Sequence, residues 1–332
     1  HCGMEPVWAS EIEARPISIT KRHFPDMLHL GDITKISGAE IPPVDVITFG
    51  SPCQDLSQIG TRNGFAGKKS SLFYQAMRII EEMRYATNGR YPAFCIWENV
   101  AGAFSSNDRL DFAAMLSAFT GAEVSVPPRG WAHAGMVRGG RADTAWRLLD
   151  AQYWGEPALV QRRKRVFVVA DFAGQRAGEV LFKPRTVLPF SAIGGPGGLS
   201  ATAGSGVPAA QTGRQVPIVR PFSLRRMRTM AQVGDQKGFC ASFGRGGEPF
   251  PTLLASVTAP FSFWYEGEER DGFLRALTPL ECERLMGLPE NWTKYGCKNE
   301  EISDHARYRA LGNSIALPCA EYVMAGIAEV MN

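Results

Sequence analysis

The sequence predicts an α/β protein with a second, smaller and irregular domain. Short apolar runs at residues 44–49, 93–97 and 165–170 have the length and composition of buried strands. A segment with helical spacing, at 72–84, separates the first two runs. A glycine-rich stretch at 194–206 interrupts this alternation and is typical of a loop or linker. Strands that alternate with helices predict a parallel sheet covered on both faces, and the change in composition marks another domain.

Each predicted element rests on a local pattern. The strand at 44–49 ends in a Gly-Ser-Pro sequence, which favours a loop. The helix at 72–84 is predicted because apolar side chains recur on one face: Leu72, Ala76, Ile79, Ile80 and Met83. A strand-like run at 261–265 lies in the irregular region. Thr278, Pro279 and Glu281 match an N-cap, a first-turn proline and a capping-box partner, so a helix begins there, and a last helix is predicted at about 318–330.

These patterns divide the chain into three segments. The first domain covers residues 1–186, the smaller irregular domain covers 187–272, and residues 273–332 return to the first domain. Chemistry in such folds lies at the carboxyl ends of the strands, so the loops after the predicted strands are where a site is expected.

Composition excludes several classes of protein. The chain is 45% hydrophobic and 21% charged, which is ordinary for a soluble globular protein. No apolar run is long enough to span a membrane, and the N-terminus does not resemble a signal peptide. Seven scattered cysteines indicate a reducing cytoplasm rather than a disulfide framework, and no Cys/His group has zinc spacing.

Charge is distributed unevenly along the chain. Between residues 180 and 234 there are seven basic residues and no acidic ones, so the rest of the chain carries 3 − 7 = −4. A basic block in a slightly acidic protein is expected of a segment that binds a polyanion. A solvated basic loop would have the same composition, and charge alone favours neither interpretation.

Three positions near predicted strand ends carry candidate chemistry. Cys53 follows the first strand, where a loop could hold a reactive thiol at a cleft, although an inert buried thiol is the commoner case. Glu98 ends the second strand and could contact a base edge or cap a helix. Gln161, Arg163 and Arg165 alternate as they enter the third strand and would point to one side, as functional groups or as a solvated edge.

Together these segments resemble the cytosine-5 DNA methyltransferase family, and in the same chain order. The resemblance runs from residue 52 to residue 314. Its motifs, in order, are Pro52-Cys53-Gln54 (nucleophile), Glu98-Asn99-Val100 (base recognition), Gln161, Arg163 and Arg165 (Gln-x-Arg-x-Arg), residues 275–285 (support of the target recognition domain) and Gly312-Asn313-Ser314 (cofactor pocket). Five motifs in order make an accidental match very improbable.

The resemblance implies a fold and a reaction. The fold would be a doubly wound mixed sheet of the S-adenosylmethionine-dependent methyltransferase type, with 187–272 as target recognition domain. The enzyme would methylate C5 of a flipped-out cytosine in double-stranded DNA. Cys53 would add to C6, Glu98 would contact N3 and the 4-amino group, and Arg163 and Arg165 would lie near O2 and the phosphate. A cytoplasmic, monomeric, metal-free enzyme of a restriction-modification system is implied.

The resemblance also implies the residues that bind S-adenosylmethionine. Glu11 would bind the ribose hydroxyls, Ile12 would cover the adenine, and Asp32 and Ile33 would contact its edge. The pocket would be completed by Pro52, Leu72, Asn313 and Ser314. Taken singly, Glu11 and Asp32 could equally be turn residues that follow strands.

The DNA contacts implied by the resemblance lie in three places. Ser57 belongs to a glycine-containing loop, 57–69, that suits a mobile lid. Gln161 belongs to the Gln-x-Arg-x-Arg motif. Arg225, Arg226 and Arg228 are candidates to contact guanine edges and phosphates from the basic segment.

One feature of the family has no counterpart in the sequence. The family opens with a strand and a Phe-x-Gly-x-Gly loop around the cofactor, whereas this sequence begins at His1-Cys2-Gly3, which resembles the end of the next helix. We therefore expect an upstream segment. Two alternatives remain open at this point: a tRNA cytosine-5 methyltransferase, and a catalytically silent DNA-binding relative.

Overall fold

A computed structural model describes residues 2–51, 72–183, 218–221, 250, 252–253, 261–265 and 273–332 of the chain. Contacts between Cα atoms divide the chain into two compact units. The first comprises His1–Asp150, Lys164–Pro184 and Ala320–Asn332, and the second comprises Ala151–Arg163 and Arg185–Cys319. The predicted domain boundaries, after 186 and after 272, fall at residues outside the described ranges and stay predictions.

The first unit contains two sheets. Its strands are β1 (Trp8–Ala9), β2 (Leu28–His29), β3 (Val46–Gly50), β4 (Phe94–Val100), β5 (Ala134–Arg138), β6 (Asp143–Asp150) and β7 (Lys164–Asp171). β1 and β2 form a short parallel pair, and the larger sheet has the order β3-β4-β7-β6-β5. β3 and β4 are parallel, whereas β7 is antiparallel to both β4 and β6. The predicted α/β fold with a mixed sheet is therefore confirmed.

The direction of the third predicted strand needs a correction. The sequence pattern favoured a parallel sheet, but the strand at 165–170 lies within β7, which runs antiparallel to β4. Between β4 and β7 the chain forms the β5–β6 hairpin, whose strands are antiparallel to each other, and β6 then pairs antiparallel with β7. An apolar run has the same composition in either direction, so this difference could not be read from the pattern.

The helices of the described residues are α1 (Ala14–His23), α2 (Leu72–Ala86), α3 (Leu110–Thr120), α4 (Ala177–Leu181), α5 (Pro279–Met286), α6 (Asp304–Asn313) and α7 (Leu317–Met331). Of these, α2, α3 and α4 lie against the larger sheet. The predicted face of α2 is confirmed at four positions, Ala76, Ile79, Ile80 and Met83, which are buried. Leu72, at the first turn, is exposed, so the prediction was wrong there.

The core of the first unit is largely aromatic. Phe73 and Phe119 meet edge to face, with ring centroids 5.8 Å apart, and Phe112 lies against Trp97 and Trp146. Large buried aromatic side chains remove much apolar surface from water, which is the main favourable term in folding. This core lies under β4, and it therefore fixes the strand that carries the candidate site.

The second unit combines a small sheet with helices. β8 (Ile218–Pro221), β9 (Phe261–Tyr265) and β10 (Phe273–Ala276) form an antiparallel sheet in the order β10-β9-β8, and β9 is the strand predicted at 261–265. The predicted capping box at the start of α5 is also confirmed. Within the described ranges no single helix is long and apolar enough to cross a membrane, and only the bent pair α6 and α7 meets the length and composition test.

Candidate active site

The parallel pair β3 and β4 places Glu98 beside the loop that leads to Cys53. Gly50, the last residue of β3, is the register partner of Glu98. A Cβ at position 50 would lie 3.4 Å from both the backbone oxygen and the Oε2 atom of Glu98. The Glu98 carboxylate therefore lies in contact distance of the end of β3.

Two side chains of β4 hold Ser51, the residue after Gly50. The Trp97 indole Nε1 donates to Ser51 Oγ at 3.0 Å, and Asn99 Nδ2 donates to the Ser51 carbonyl oxygen at 2.9 Å. All three side chains are buried. Trp97 and Asn99 flank Glu98 in the sequence, so the strand that carries the carboxylate also fixes where the chain leaves β3.

Glu98 forms an ion pair with Arg165. The distance from Arg165 Nε to Glu98 Oε1 is 2.9 Å, and each side chain is 14% exposed. The antiparallel direction of β7 explains this contact, because it pairs Arg165 with Val100 at the end of β4. In a parallel arrangement the start of β7 would lie about 20 Å away, at the other end of the strand. The interpretation of Arg165 as a solvated edge residue is wrong.

Arg163 belongs to the second unit and is buried there. Its guanidinium donates to the carbonyl oxygens of Leu253 and Gly312, both at 3.0 Å, and of Ser314 at 2.5 Å. It therefore holds the backbone around Asn313, the segment predicted to close the cofactor pocket. Its predicted position near the cytosine O2 stays a prediction.

Gln161 is fully buried in the second unit. Its backbone forms a parallel bridge with Phe250, and neither atom of its side-chain amide has a hydrogen-bond partner among the described residues. The interpretation of Gln161 as a solvated edge residue is therefore wrong. Its predicted contact with DNA stays a prediction.

Two acidic loops lie side by side at the carboxyl ends of β1 and β2. Trp8 pairs with Leu28 and Ala9 with His29, and Ser10 Oγ donates to the Gly31 carbonyl oxygen at 2.7 Å. The loops therefore bring Glu11, which follows β1, and Asp32, which follows β2, to the same edge of this parallel pair.

Both carboxylates also order their own loops. Glu11 Oε1 accepts from the amides of Ile12 and Glu13, and Asp32 Oδ1 accepts from the amide and the hydroxyl of Thr34. The hydrogen bonds from the Thr34 amide and hydroxyl lower the pKa of Asp32 below 3.8. The interpretation of Glu11 and Asp32 as turn residues is therefore correct for Glu11 Oε1 and Asp32 Oδ1, which accept hydrogen bonds within their own loops.

The loop geometry fits a nucleoside-bearing cofactor. Two carboxylates on adjacent strand ends supply acceptors for ribose hydroxyls and for an amino group, and the exposed Ile12 side chain supplies an apolar surface next to them. Ile33 begins the 3-10 turn that Asp32 caps. Leu72 and Asn313 are exposed and Ser314 is partly buried, so none of these side chains is sealed in a core.

Several predicted site residues lie outside the described residues: Pro52, Cys53, Ser57, Arg225, Arg226 and Arg228. Among the described residues, no three His, Cys, Asp or Glu side chains come together as a metal site would require. Cys95 lies within β4 and is fully buried, and burial raises the pKa of its thiol far above the usual range. It is an inert core thiol of the kind that Cys53 could have been on sequence grounds alone.

The sequence motifs gave no role to Ser51 and Trp97, and they included Asn99 only as the neighbour of Glu98. A signal was present, because a tryptophan in an apolar run needs a partner for its indole N–H when it is buried. The partner could not be identified, since Ser51 lies 46 residues away in the chain.

Comparison with protein families gives one match over most of the chain. The model of the C-5 cytosine-specific DNA methylase family matches residues 1–182 and 225–329. The chain is 26% identical to the type II methyltransferase M1.ScrFI of Lactococcus lactis subsp. cremoris, over 99% of the chain and 73% of that protein.

A phage protein and a solved structure are also similar. A protein of Escherichia phage P1, named DNA N-6-adenine-methyltransferase, is 24% identical over 97% of the chain, which spans only 58% of the phage protein. A crystal structure of a protein described as a DNA modification methyltransferase, from an E. coli prophage, has a TM-score of 0.57 at 17% identity. The match covers 100% of this chain and 94% of the prophage protein, and it shows a similarity of fold alone.

Proposed function

Because the chain belongs to the C-5 cytosine-specific DNA methylase family, we propose that it methylates C5 of a flipped-out cytosine in double-stranded DNA. The Glu98–Arg165 ion pair carries this proposal. It puts a carboxylate and a guanidinium at the end of β4, beside the residue from which the chain runs into Pro52-Cys53-Gln54. A target base inside a duplex is inaccessible, so the base has to be flipped out to reach these groups.

The reaction begins with the thiolate of Cys53. Its sulfur bonds to C6 of the cytosine, and the electron pair of the C5–C6 double bond moves toward C5 and N3. Glu98, as the carboxylic acid, donates a hydrogen bond to N3 of the adduct and accepts one from the 4-amino group. Arg165 orients the Glu98 carboxyl group, and the family resemblance assigns it a position near O2. Arg163 acts within the second unit, where it holds the backbone around Asn313.

The later steps regenerate the enzyme. S-adenosylmethionine, when bound, supplies the electrophilic methyl group that the electron-rich C5 accepts. Glu11 would hold the ribose, Asp32 and Ile33 would hold the adenine, and Ile12 would cover it. The family resemblance also assigns Pro52, Leu72, Asn313 and Ser314 to cofactor binding. The C5 proton then leaves to a base, its bonding electrons restore the C5–C6 double bond, and the Cys53 thiolate is expelled.

The sequence outside the described residues supplies the DNA-binding part of the proposal. Ser57 lies in the loop after the nucleophile, and Arg225, Arg226 and Arg228 lie in the basic segment. Seven positive charges without an acidic residue suit the phosphate backbone of DNA, and arginines also read guanine edges. The names of the type II relatives favour a role as a modification enzyme.

The test measures the loss of hydrogen from cytosine C5 and the addition of a methyl group to it. The chain should release tritium from DNA labelled at cytosine C5 even without cofactor, because the Cys53 adduct makes C5 basic. With cofactor, 5-fluorocytosine in the DNA should trap a denaturation-resistant adduct, since fluorine cannot leave as a cation. Cys53→Ala should abolish both signals, whereas Cys297→Ala, which removes an exposed cysteine, should keep them.

The same assay separates the alternatives. Nucleoside analysis of the methylated product distinguishes 5-methylcytosine from N6-methyladenine, the product suggested by the name of the phage relative. Methylation of tRNA in place of DNA would favour a tRNA methyltransferase, and DNA binding without tritium release would favour a silent relative. Normal methylation by Cys53→Ala would overturn the mechanism.

A further inference from the structure

We propose that the hydrogen bond between the Trp97 indole and the Ser51 hydroxyl fixes Ser51, where the chain leaves β3, relative to Glu98, so that Trp97 and Ser51 are positioning residues for addition to cytosine. This inference rests on the proposed function. It concerns two residues that touch neither substrate nor cofactor in that mechanism. It starts from a buried polar contact for which the sequence motifs gave no role.

Trp97 is buried, so its indole N–H needs a hydrogen-bond acceptor inside the protein. Its side chain is 0% exposed and lies in the aromatic core, with ring centroids 6.3 Å from Phe73 and 6.4 Å from Phe112. A buried indole N–H without an acceptor loses its hydrogen bond to water and gains nothing in return. Ser51 Oγ, at 3.0 Å, is the acceptor, so the position of Ser51 is coupled to the packing of the core.

Ser51 is held at two points by one strand. Its hydroxyl accepts from Trp97 and its carbonyl oxygen accepts from Asn99, and these two residues are the neighbours of Glu98 in β4. Consecutive residues of a strand point to opposite faces, so Trp97 and Asn99 hold Ser51 on one face while Glu98 lies on the other. Ser51 and the Glu98 carboxylate are therefore both held by the same strand, β4.

Covalent geometry carries this fixed point to the nucleophile. Cys53 follows Ser51 by two residues in the sequence, so only two peptide units connect the fixed residue to the nucleophile. A change of the backbone dihedrals at Ser51 would therefore change the direction in which the chain leaves β3. A displacement of about 1 Å at a reacting centre can lower a rate on the order of a hundredfold.

The chain offers a matched control for the tryptophan. Trp146 is also a buried core residue, its indole Nε1 donates to the Ala132 carbonyl oxygen at 2.9 Å, and its ring meets Phe112 at 5.7 Å. Trp146→Phe therefore removes the same atoms and one hydrogen bond from the same core, without a contact to Ser51. Ser117→Ala, in α3, is the control for loss of a serine hydroxyl.

The experiment is a double-mutant cycle on the full chain, with Trp97→Phe, Ser51→Ala and the double variant. Tritium release from phage DNA labelled at cytosine C5, without cofactor, reports the addition step. We expect each single variant to slow release by on the order of tenfold or more, with the double variant no slower than the slower single variant. The dissociation constant for DNA should stay within about twofold, and Trp146→Phe and Ser117→Ala should release tritium at the wild-type rate.

Thermal unfolding separates positioning from stability, because Trp97→Phe and Trp146→Phe should lower Tm by similar amounts. The positioning role is overturned if the two tryptophan variants slow tritium release equally, or if the losses in the double variant multiply. If the wild-type chain is active and the variants match it, the proposed function stands and only this inference fails. If the wild-type chain neither releases tritium nor methylates DNA, the proposed function fails first.

Discussion

Two glutamate–arginine ion pairs, one in each unit, have nearly the same length but different surroundings. Glu98 and Arg165 are 2.9 Å apart and each is 14% exposed. Glu283 and Arg307 are 3.0 Å apart, and their side chains are 0% and 8% exposed. Both carboxylate oxygens of Glu283 are bonded, since Oε1 also accepts from the amide and hydroxyl of Thr293 and Oε2 accepts from the amide of Asn291.

The different surroundings suit the two ion pairs to different roles. A carboxylate with both oxygens bonded inside a unit joins helices and loops, and removing its charge leaves the buried Arg307 with only the more distant and exposed Asp304, at 3.7 Å, as a counter-ion. A carboxylate at the end of a strand, with part of its surface open to solvent, can meet a ligand. The second kind of site is where chemistry is expected in an α/β fold.

The largest expected effect is on activity, from Glu98→Gln. The amide keeps the size of the side chain but is not an acid, so it cannot share a proton with N3 as electron density arrives there. We expect the rate of cytosine methylation to fall on the order of a thousandfold, with a small change in Tm. Single-turnover methylation kinetics and thermal unfolding of the same preparation measure both. Near-normal methylation by this variant would remove Glu98 from the mechanism.

The opposite result is expected from Glu283→Gln. Loss of the charge leaves Arg307 buried beside a neutral amide, so the free energy of unfolding should fall by about 3 kcal/mol, while activity per folded molecule stays the same. Urea unfolding at pH 7 measures the first quantity. Glu290→Gln is the control, because its pair with Arg284 is largely exposed and should contribute less than about 1 kcal/mol. Equal losses in the two variants would contradict the comparison.

A third carboxylate, Asp171 at the end of β7, sharpens the comparison through its pH dependence. Burial would raise the pKa of Asp171, but hydrogen bonds from Arg176 and from the Ala173 amide outweigh burial and lower it below 3.8. The ion pair therefore stabilises the fold above the unfolded-state pKa, and this contribution is lost as pH falls through the folded-state pKa.

For Asp171→Asn we expect the free energy of unfolding at pH 7 to fall by about 2 kcal/mol. The gap to wild type should vary by less than about a tenth of its size between pH 6 and pH 8, and should narrow as the pH falls below about 4. Urea unfolding from pH 8 down to pH 3 provides the measurement. A gap that keeps its full size at pH 3 would show that the charge of Asp171 is not its source.

The smallest effect is expected at the start of α5, where a carboxylate acts locally. Glu281 Oε2 accepts from the Thr278 amide at 2.8 Å, and Thr278 Oγ1 accepts from the Glu281 amide at 3.3 Å. Thr278→Ala should lower the free energy of unfolding by about 1 kcal/mol, and Thr278→Ser should keep most of it. If the two variants lose the same amount, the cap does not stabilise this helix.

Local patterns predicted the elements of the fold well. The strand at β3, most of the buried face of α2 and the capping box of α5 each follow from spacings of a few residues, and the structure confirms them. The errors have a common physical origin. The exposure of Leu72 and the direction of β7 depend on which distant segments cover or pair with them, and short-range spacing carries no information on that.

The candidate site shows the same division. Glu98 and Arg165 were expected at strand ends, and the structure brings them together. Arg163 was placed in the same motif, but its guanidinium binds carbonyl oxygens that lie 90 and 149 residues further along the chain. Such partners depend on the tertiary fold. The contribution of Cys53, like that of the basic segment, stays a prediction from the resemblance to the family.

The antiparallel pairing of β7 with β4 also sets an order of events during synthesis. Val100 and Arg165 are register partners separated by 165 − 100 = 65 residues, and closing a loop of that size costs about 4 kcal/mol of chain entropy. At about 5–20 residues per second, Arg165 is added roughly 3–13 seconds after Val100. Glu98 must therefore remain on the nascent chain without its arginine partner for several seconds. Any factor that slows translation between β4 and β7 prolongs that interval.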